Sequence, residues 1–441
     1  MDLNARDLKP RPAAGADRWF EIKSQVHLKL LNTLSPEQLK ALNKEGVRAQ
    51  IGLIVERLVL DEGIPMTMVE RDRVTEEIQD EVFGLGPLEQ LLKDNTISDI
   101  MVNGYDNVYV ERAGRVVETN VRFKDQAHLR MIIDRIVANV GRRIDDSSPI
   151  VDARLDDGSR VCAVIPPLSL IGPVMSIRRY GKKLLTTEDL LKNQTFTHGI
   201  IDFLSGCVEA RLNVVIAGGS GSGKTTMLNT MSRFIPEDER VITIEDTAEL
   251  QMQQPHVVRL ETRPSNIEGA GAVTARDLVI NTLRMRPDRI IVGESRGAEA
   301  LDMLQAMNTG HDGSMTTIHA NSPRDAFSRL ETLVMMASQN VPDKVIRQQL
   351  ASAIHLVVQC ARLSDGTRKV IAISEVLGVA GEQVEMQDIF EFDRTGVSPR
   401  GKVVGRFRGY GKQPQCMDKL RGYGIHLSKS IFDEVVEVGD K

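Results

Sequence analysis

The residue types best suited to chemistry form one glycine-rich loop, made of Gly218, Gly219, Ser220, Gly221, Ser222, Gly223, Lys224 and Thr225, with Thr226 next. The loop follows the apolar segment LNVVIAG and precedes a predicted helix, and its spacing matches G-x-x-x-x-G-K-[ST]. Backbone N–H groups of such a loop bind phosphate oxygens, the lysine reaches the outer phosphates and the threonine hydroxyl ligates Mg²⁺. The sequence therefore predicts a nucleotide site here, with Thr225 as a metal ligand.

Two acidic side chains follow apolar strands further along the chain. Glu245 comes after RVITI and Glu294 comes after RIIVG. Because the carboxyl ends of parallel strands meet at one edge of a sheet, we expect both carboxylates beside the glycine-rich loop. A carboxylate in that place holds Mg²⁺ or polarises an attacking water. The alternative for either residue alone is a helix cap or a solvated turn.

A histidine ends a further apolar strand, SMTTI. His319 is followed by Ala-Asn-Ser, and we expect it at the same sheet edge as Glu245 and Glu294, where it can hydrogen-bond to a γ-phosphate. His311 lies before that strand, and for it a packed role and a functional role both stay open.

The pattern of apolar residues predicts five segments. From residue 197 onward helices alternate with short strands, which specifies an α/β core with a mostly parallel sheet. Residues 84–180 predict a small α+β domain with a helix over 126–140 and a hairpin at Asp157-Gly158. The full division is a lead-in at 1–30, a helical bundle at 31–83 with helices from Ser35 and from Thr67 to Phe83, the α+β domain at 84–180, a linker at 181–196, and the core with a carboxy-terminal extension at 197–441.

The composition excludes several classes of protein. Apolar residues are 41%, charged residues 27% and the net charge is −5, which indicates an aliphatic globular protein with no dominant basic surface, so no nucleic-acid partner is expected. The four cysteines form no CxxC pair, which argues against a zinc knuckle or a redox dithiol and predicts reduced thiols, mostly in the core. No apolar run approaches the ~18 residues of a spanning helix, so we expect a cytoplasmic chain that touches a membrane only peripherally.

Four motifs in order carry a family resemblance. GGSGSGKTT, TIEDTAEL, LRMRPDRIIVGESRGAEA and TGHDGSMTTIHANSP resemble the Walker A, Asp-box, Walker B and His-box series of the type II/type IV secretion ATPases. GLGPLEQLL, SDIMVNGYDNVYVERAGR and DARLDDGSRV resemble most closely the ATPases of Tad/Flp pilus assembly, over residues 75–430. The chain departs from some relatives in lacking a tetracysteine module and in lacking an Asp directly after the Arg of GESR.

The resemblance implies a RecA-like core behind a PAS-like amino-terminal domain. It implies that Glu294 is the Walker B acid and a metal ligand, Glu245 the catalytic glutamate and His319 a sensor, with ATP and Mg²⁺ bound. It also implies a homo-hexamer in which arginines of one subunit complete the site of the next. Arg154 and Arg160 flank the DDG turn and are the first candidates, ahead of Arg142, Arg143, Arg178 and Arg179.

The function implied is an ATP-hydrolysing motor at the cytoplasmic face of the inner membrane. Its partners would be inner-membrane pilus platform proteins, and through them pilin, with extension and retraction both open. Three other functional hypotheses remain: a type IV secretion ATPase that exports effectors or DNA, a ring-shaped nucleic-acid translocase, and a scaffold that only binds nucleotide. The acidic balance, with 5 Tyr and 1 Trp, disfavours the translocase, and the two glutamates disfavour the scaffold.

Overall fold

The computed structural model of the chain describes residues 44–61, 67–112, 114–179, 185–265, 270–338 and 341–439. The chain divides into two compact units, Met1–Tyr180 and Gly181–Lys441. The predicted lead-in, the helix start at Ser35 and residues 181–184 lie outside the described residues. Within them, no helix is long and apolar enough to cross a bilayer.

Two helices, Lys44–Asp61 and Met68–Phe83, pack together at the start of the first unit. The second helix begins at a capping box: the Thr67 hydroxyl accepts from the N–H of Glu70 at 3.3 Å, and Glu70 accepts from the N–H of Thr67 at 2.7 Å. The helix ends at Gly84, so the predicted helix from Thr67 to Phe83 is confirmed.

The rest of the first unit is a six-stranded antiparallel sheet with one face covered by the helix Gln126–Asn139. The β4–β5 pair confirms the predicted hairpin at Asp157-Gly158, and the covering helix confirms the one predicted over 126–140. A short helix, Glu89–Lys93, precedes the sheet. The strands are β1 Ile97–Asn103, β2 Val108–Arg112, β3 Arg115–Glu118, β4 Ile150–Arg154, β5 Arg160–Val164 and β6 Val174–Arg178, in the order β3-β2-β1-β6-β5-β4.

The other face of this sheet carries a row of arginines. Arg154 lies opposite Arg160, and Arg160 lies opposite Arg178. Directly opposite residues of antiparallel strands share a face, so the three arginine side chains project from neighbouring positions at one end of it. Cys162 lies on the same face and is exposed, whereas the other three cysteines, Cys207, Cys360 and Cys416, are buried.

The second unit is built on a ten-stranded sheet. Six strands are parallel, in the order β9-β8-β10-β11-β7-β12, and four antiparallel strands extend the β12 edge. The predicted α/β core is therefore confirmed. The strands are β7 Val214–Gly218, β8 Val241–Glu245, β9 Val257–Glu261, β10 Arg289–Val292, β11 Met315–Ile318, β12 Leu356–Arg362, β13 Arg368–Ala380, β14 Gln383–Val397, β15 Val403–Gly409 and β16 Val435–Val438.

Helices cover both faces of the parallel part. Along β7, Val214 and Ile216 pack into one apolar core and Val215 and Ala217 into the other, as expected for a strand buried on both sides. Part of the range predicted as linker is helical, because Thr186 and Asp189 form a capping box. The helices are Thr187–Lys192, His198–Glu209, Lys224–Ser232, Ala275–Thr282, Glu299–Asn308, Pro323–Ala337, Asp343–Ala353 and Met417–Gly422.

A buried asparagine joins the amino ends of three parallel strands. The side-chain oxygen of Asn213 accepts from the N–H groups of Gly313 and Ser314 at 2.8 and 3.0 Å. The N–H of Asn213 donates to Nδ1 of His355 at 3.0 Å. Nδ1 accepts this bond only when it carries no proton, so the fold holds His355 in its neutral form.

We predict that acid destabilises the second unit through this contact. Burial, aided by the charge of Lys419, lowers the pKa of His355 to about 4. The folded chain therefore binds fewer protons than the unfolded chain between pH 6.5 and 4. The stabilisation is complete above pH 6.5 and is lost as the pH falls to about 4, by up to ~3 kcal/mol. Thermal unfolding followed by circular dichroism from pH 7 to 4 measures this loss.

The control for this prediction is His355→Asn, whose side-chain oxygen can accept the same bond but does not titrate. The melting temperature of the variant should fall less steeply over this pH range. Equal slopes would show that another group is responsible.

Candidate active site

The glycine-rich loop leaves β7 at Gly218 and enters the helix Lys224–Ser232. A Cβ on Gly218 would lie 2.4 Å from the carbonyl oxygen of Cys360 and 2.4 Å from the hydroxyl of Ser222. Gly221 and Gly223 have φ angles of 67° and 97°, a region that side chains disfavour. The loop can therefore close in this form only with glycine at these positions.

The polar groups of the loop turn toward its own interior. The buried Lys224 donates from Nζ to the carbonyl oxygens of Gly218 and Gly219 at 3.1 and 3.0 Å. The hydroxyl of Ser222 is buried and finds no hydrogen-bond partner among the described residues. A buried ammonium, an unsatisfied hydroxyl and a helix amino end fit the oxygens of a polyphosphate. Thr225 and Thr226 lie in the first turn of the helix that follows.

Glu245 ends β8 with its carboxylate almost fully buried. Oε1 accepts from the backbone N–H groups of Glu249 and Leu250, each at 2.9 Å, and Oε2 has no partner among the described residues. Burial raises the pKa of Glu245, and the two backbone bonds offset part of that rise. A Cβ on Gly293 would lie 3.0 Å from Cγ of Glu245, so the glycine makes room for this side chain.

Glu294 joins the ends of β10 and β11. Its Oε1 lies 2.8 Å from Nε2 of His319, and its Oε2 accepts from Nε of Arg296 at 2.7 Å. Arg296 also pairs with Asp246, whose Oδ2 lies 3.2 Å from Nη1. Burial and the nearby charge of Lys224 lower the pKa of His319, against the opposing effect of Glu294. The lowered pKa favours the neutral imidazole, a form that can act as a hydrogen-bonding group.

The sheet edge thus brings together the loop, Glu245, Glu294 and His319, as their places in the sequence predicted. His311 precedes the amino end of β11 and is absent from this edge. Sequence reasoning gave no role to Arg296, although it lies within the quoted GESRG segment. It also missed two arginines of β12 and β13, Arg362 and Arg368, which lie beside the loop.

The candidate arginines of the first unit differ in their surroundings. Arg179 donates to backbone carbonyls at the end of the helix Glu89–Lys93, including that of Leu92 at 2.7 Å. Arg143 pairs with Asp145 at 2.5 Å. Arg154 and Arg160 are cross-strand partners on the sheet face that carries the arginine row.

Comparison with known protein families identifies the chain's class. Residues 81–400 match the family described as Type II/IV secretion system protein. The chain belongs to this family. Residues 19–83 match a second family description, Type II secretion system protein E, N-terminal domain.

Relatives within the family cover most of the chain. A putative conjugal transfer protein of Mycobacterium tuberculosis is 37% identical over 328 residues, which are 72% of this chain and 91% of that protein. The conjugal transfer protein TrbB of Rhizobium radiobacter is 34% identical and covers 66% of this chain and 86% of its own. The solved structure of the VirB11 ATPase from the Brucella suis type IV secretion system is 31% identical, with a TM-score of 0.36, and covers 67% of this chain and 94% of its own.

Proposed function

We propose that the chain is an ATPase that hydrolyses ATP to ADP and phosphate, with Mg²⁺, at the edge formed by β7, β8, β10 and β11. The observation that carries this proposal is the convergence of Lys224, Glu245, Glu294 and His319 around the glycine-rich loop. The family and its relatives support it.

Each residue has a task that its surroundings suit. Lys224 and the loop amides hold the phosphates and bear the charge that develops on them during transfer. Glu245, fixed through Oε1, presents Oε2 to accept a proton from the attacking water, and its raised pKa makes it a better base. His319, whose Nε2 lies against Glu294, would turn its N–H from that carboxylate to the terminal phosphate. Mg²⁺, held by Thr225 and Glu294, would neutralise phosphate charge.

If Glu294 binds the metal, Arg296 must either share the Glu294 carboxylate with the metal or release that carboxylate. Arg296 already bridges Glu294 and Asp246, so it holds the ends of β8 and β10 at one spacing. The two acidic segments are therefore positioned before nucleotide arrives.

We further propose that this ATPase is a homo-hexameric motor of a Tad/Flp type IV pilus, of the CpaF kind, peripheral to the inner membrane and acting on pilus platform proteins. The segments GLGPLEQLL, SDIMVNGYDNVYVERAGR and DARLDDGSRV support the pilus assignment. The second candidate is a type IV secretion or conjugation ATPase, and the names of the relatives favour it.

A gene deletion in the source organism separates the two machines. The strain is complemented with the wild-type gene or with a Lys224→Ala copy, and both surface pili and DNA or effector transfer are scored. Loss of pili alone supports the pilus motor. Loss of transfer with normal pili refutes it in favour of the secretion ATPase.

We predict that Lys224→Ala loses phosphate affinity and ATP turnover. The hydrogen bonds from its ammonium to Gly218 and Gly219 lie within the loop, so we expect the fold to survive the change. Loss of a charged hydrogen bond costs ~1.5–3 kcal/mol, or about 10- to 100-fold in nucleotide affinity. Fluorescent-nucleotide titration and phosphate release measure the two losses. Lys192→Ala, an exposed lysine of the helix Thr187–Lys192, is the control, and equal affinities in the two variants would refute the assignment.

A further inference from the structure

The strand β12 runs past the end of its neighbour β7. The parallel register pairs Leu356 with Val214 and Cys360 with Gly218, where β7 ends and the loop begins. β12 continues to Arg362 and then turns back into β13 at Arg368, and these two arginines are cross-strand partners. The extra residues of β12 and the start of β13 therefore lie beside the glycine-rich loop.

The turn of this hairpin is held by its own hydrogen bonds. The N–H of Leu363 donates to the carbonyl oxygen of Thr367 at 2.7 Å. Asp365 accepts from the N–H and the hydroxyl of Thr367 at 3.0 and 2.6 Å, and from the N–H of Val403 on β15 at 2.9 Å. These bonds fix the hairpin, so Arg362 and Arg368, on either side of its turn, extend from a rigid support.

Both arginines approach the loop. Arg368 donates from Nε to the carbonyl oxygen of Gly221 at 2.8 Å, and its Cδ lies 3.4 Å from the position of a Cβ on Gly223. Nη1 of Arg362 lies 3.7 Å from the position of a Cβ on Gly221. Two positive charges therefore border the segment whose amides would face phosphate in the proposed nucleotide site.

The bond to Gly221 orients a loop amide. A trans peptide is planar, so the carbonyl of Gly221 and the N–H of Ser222 point in opposite directions. With the carbonyl held outward by Arg368, the N–H points into the loop, where it donates to the carbonyl oxygen of Gly219 at 3.3 Å. Glycine-rich backbone loses much entropy on ordering, so an anchor that orders it beforehand raises the affinity for ligand.

We propose that Arg368 is a positioning residue of the nucleotide site and that Arg362 adds positive charge beside it. Through these two arginines the β12–β13 hairpin clamps the glycine-rich loop around the polyphosphate of a nucleoside di- or triphosphate bound in the same subunit. This inference rests on the proposed nucleotide site.

The test compares nucleotide affinity with stability in the full chain. Dissociation constants for fluorescent ADP and for a non-hydrolysable ATP analogue are measured for wild type, Arg368→Ala, Arg368→Lys and Arg362→Ala. Arg400→Ala, at the exposed turn after β14, is the matched control. The melting temperature of each variant without nucleotide is recorded in parallel.

We expect Arg368→Ala to weaken both nucleotides about 10- to 100-fold, as for loss of a charged hydrogen bond, with an unchanged nucleotide-free melting temperature. Arg368→Lys should recover part of the affinity. Arg362→Ala should weaken binding less and reduce its dependence on salt, because it removes charge near the phosphates.

Two results would overturn the inference. If wild type binds nucleotide and Arg368→Ala binds it equally well, the hairpin is no clamp. If the affinity of Arg368→Ala falls only together with its nucleotide-free melting temperature, the arginine supports the fold alone. Failure of the wild type itself to bind nucleotide would instead refute the proposed function.

Discussion

Replacing Glu245 by glutamine should lower the rate of ATP hydrolysis by ~10²–10⁴ and leave nucleotide affinity nearly unchanged, because the amide cannot take a proton from water. The amide oxygen can still accept the backbone bonds of Glu249 and Leu250, so the segment after β8 keeps its shape. Steady-state phosphate release and fluorescent-nucleotide titration measure the two quantities. An effect on kcat with little effect on binding is the signature of a transition-state role.

The matched control is Glu237→Gln, an exposed glutamate of the same unit, which should hydrolyse ATP at the wild-type rate. The Glu245→Gln variant also loses a buried titrating group, so its melting temperature is measured beside its activity. A Glu245→Gln chain with undiminished kcat would remove this residue from the catalytic set.

The double variant Arg154→Ala/Arg160→Ala removes the arginine pair of the first unit and should lower the rate of hydrolysis by ~10³–10⁵. This factor is the rate enhancement usually supplied by an arginine that stabilises the charge of a phosphoryl-transfer transition state. We propose that these side chains act on the site of a neighbouring subunit. Mixing this double variant with Glu294→Ala should then restore activity, since some interfaces of a mixed ring would pair an intact acid with intact arginines.

The control for the double variant is Arg143→Ala, which removes an arginine of the same unit that pairs with Asp145. It should retain activity. Sizing must show that mixed oligomers form. If they form and activity does not return, the arginines act in their own subunit or have no catalytic role.

Local patterns predicted most of the fold. The helix from Thr67 to Phe83, the hairpin at Asp157-Gly158 and the parallel strands of the second unit all depend on signals within a few neighbouring residues. Pairings between distant segments carried no such signal. The position of β6 between β1 and β5 is one example, because it joins strands that lie far apart in the chain.

The candidate site also contains residues that the sequence predicted and residues that it did not. Lys224, Glu245, Glu294 and His319 lie at or shortly after the carboxyl ends of parallel strands, so the rule for such strand ends located them. Arg368 contacts Gly221 from 147 positions away, through a hairpin at the far side of β12, and nothing near either residue indicates the contact. The capping box at Thr186 was a local signal, but the polar composition of the segment obscured it.

The distribution of cysteines gives the native chain a single place for a fluorescent dye. All four cysteines lie within the described residues, and Cys162 is the exposed one. A maleimide will select Cys162 because the other three thiols are buried. Burial raises the pKa of Cys360 to about 12 and also raises the pKa of Cys162. The reaction at Cys162 will therefore be faster at mildly alkaline pH, where more of the thiol is ionised. A dye at Cys162, two residues from Arg160 on the same sheet face, would report nucleotide-driven changes at the arginine row without any engineered thiol.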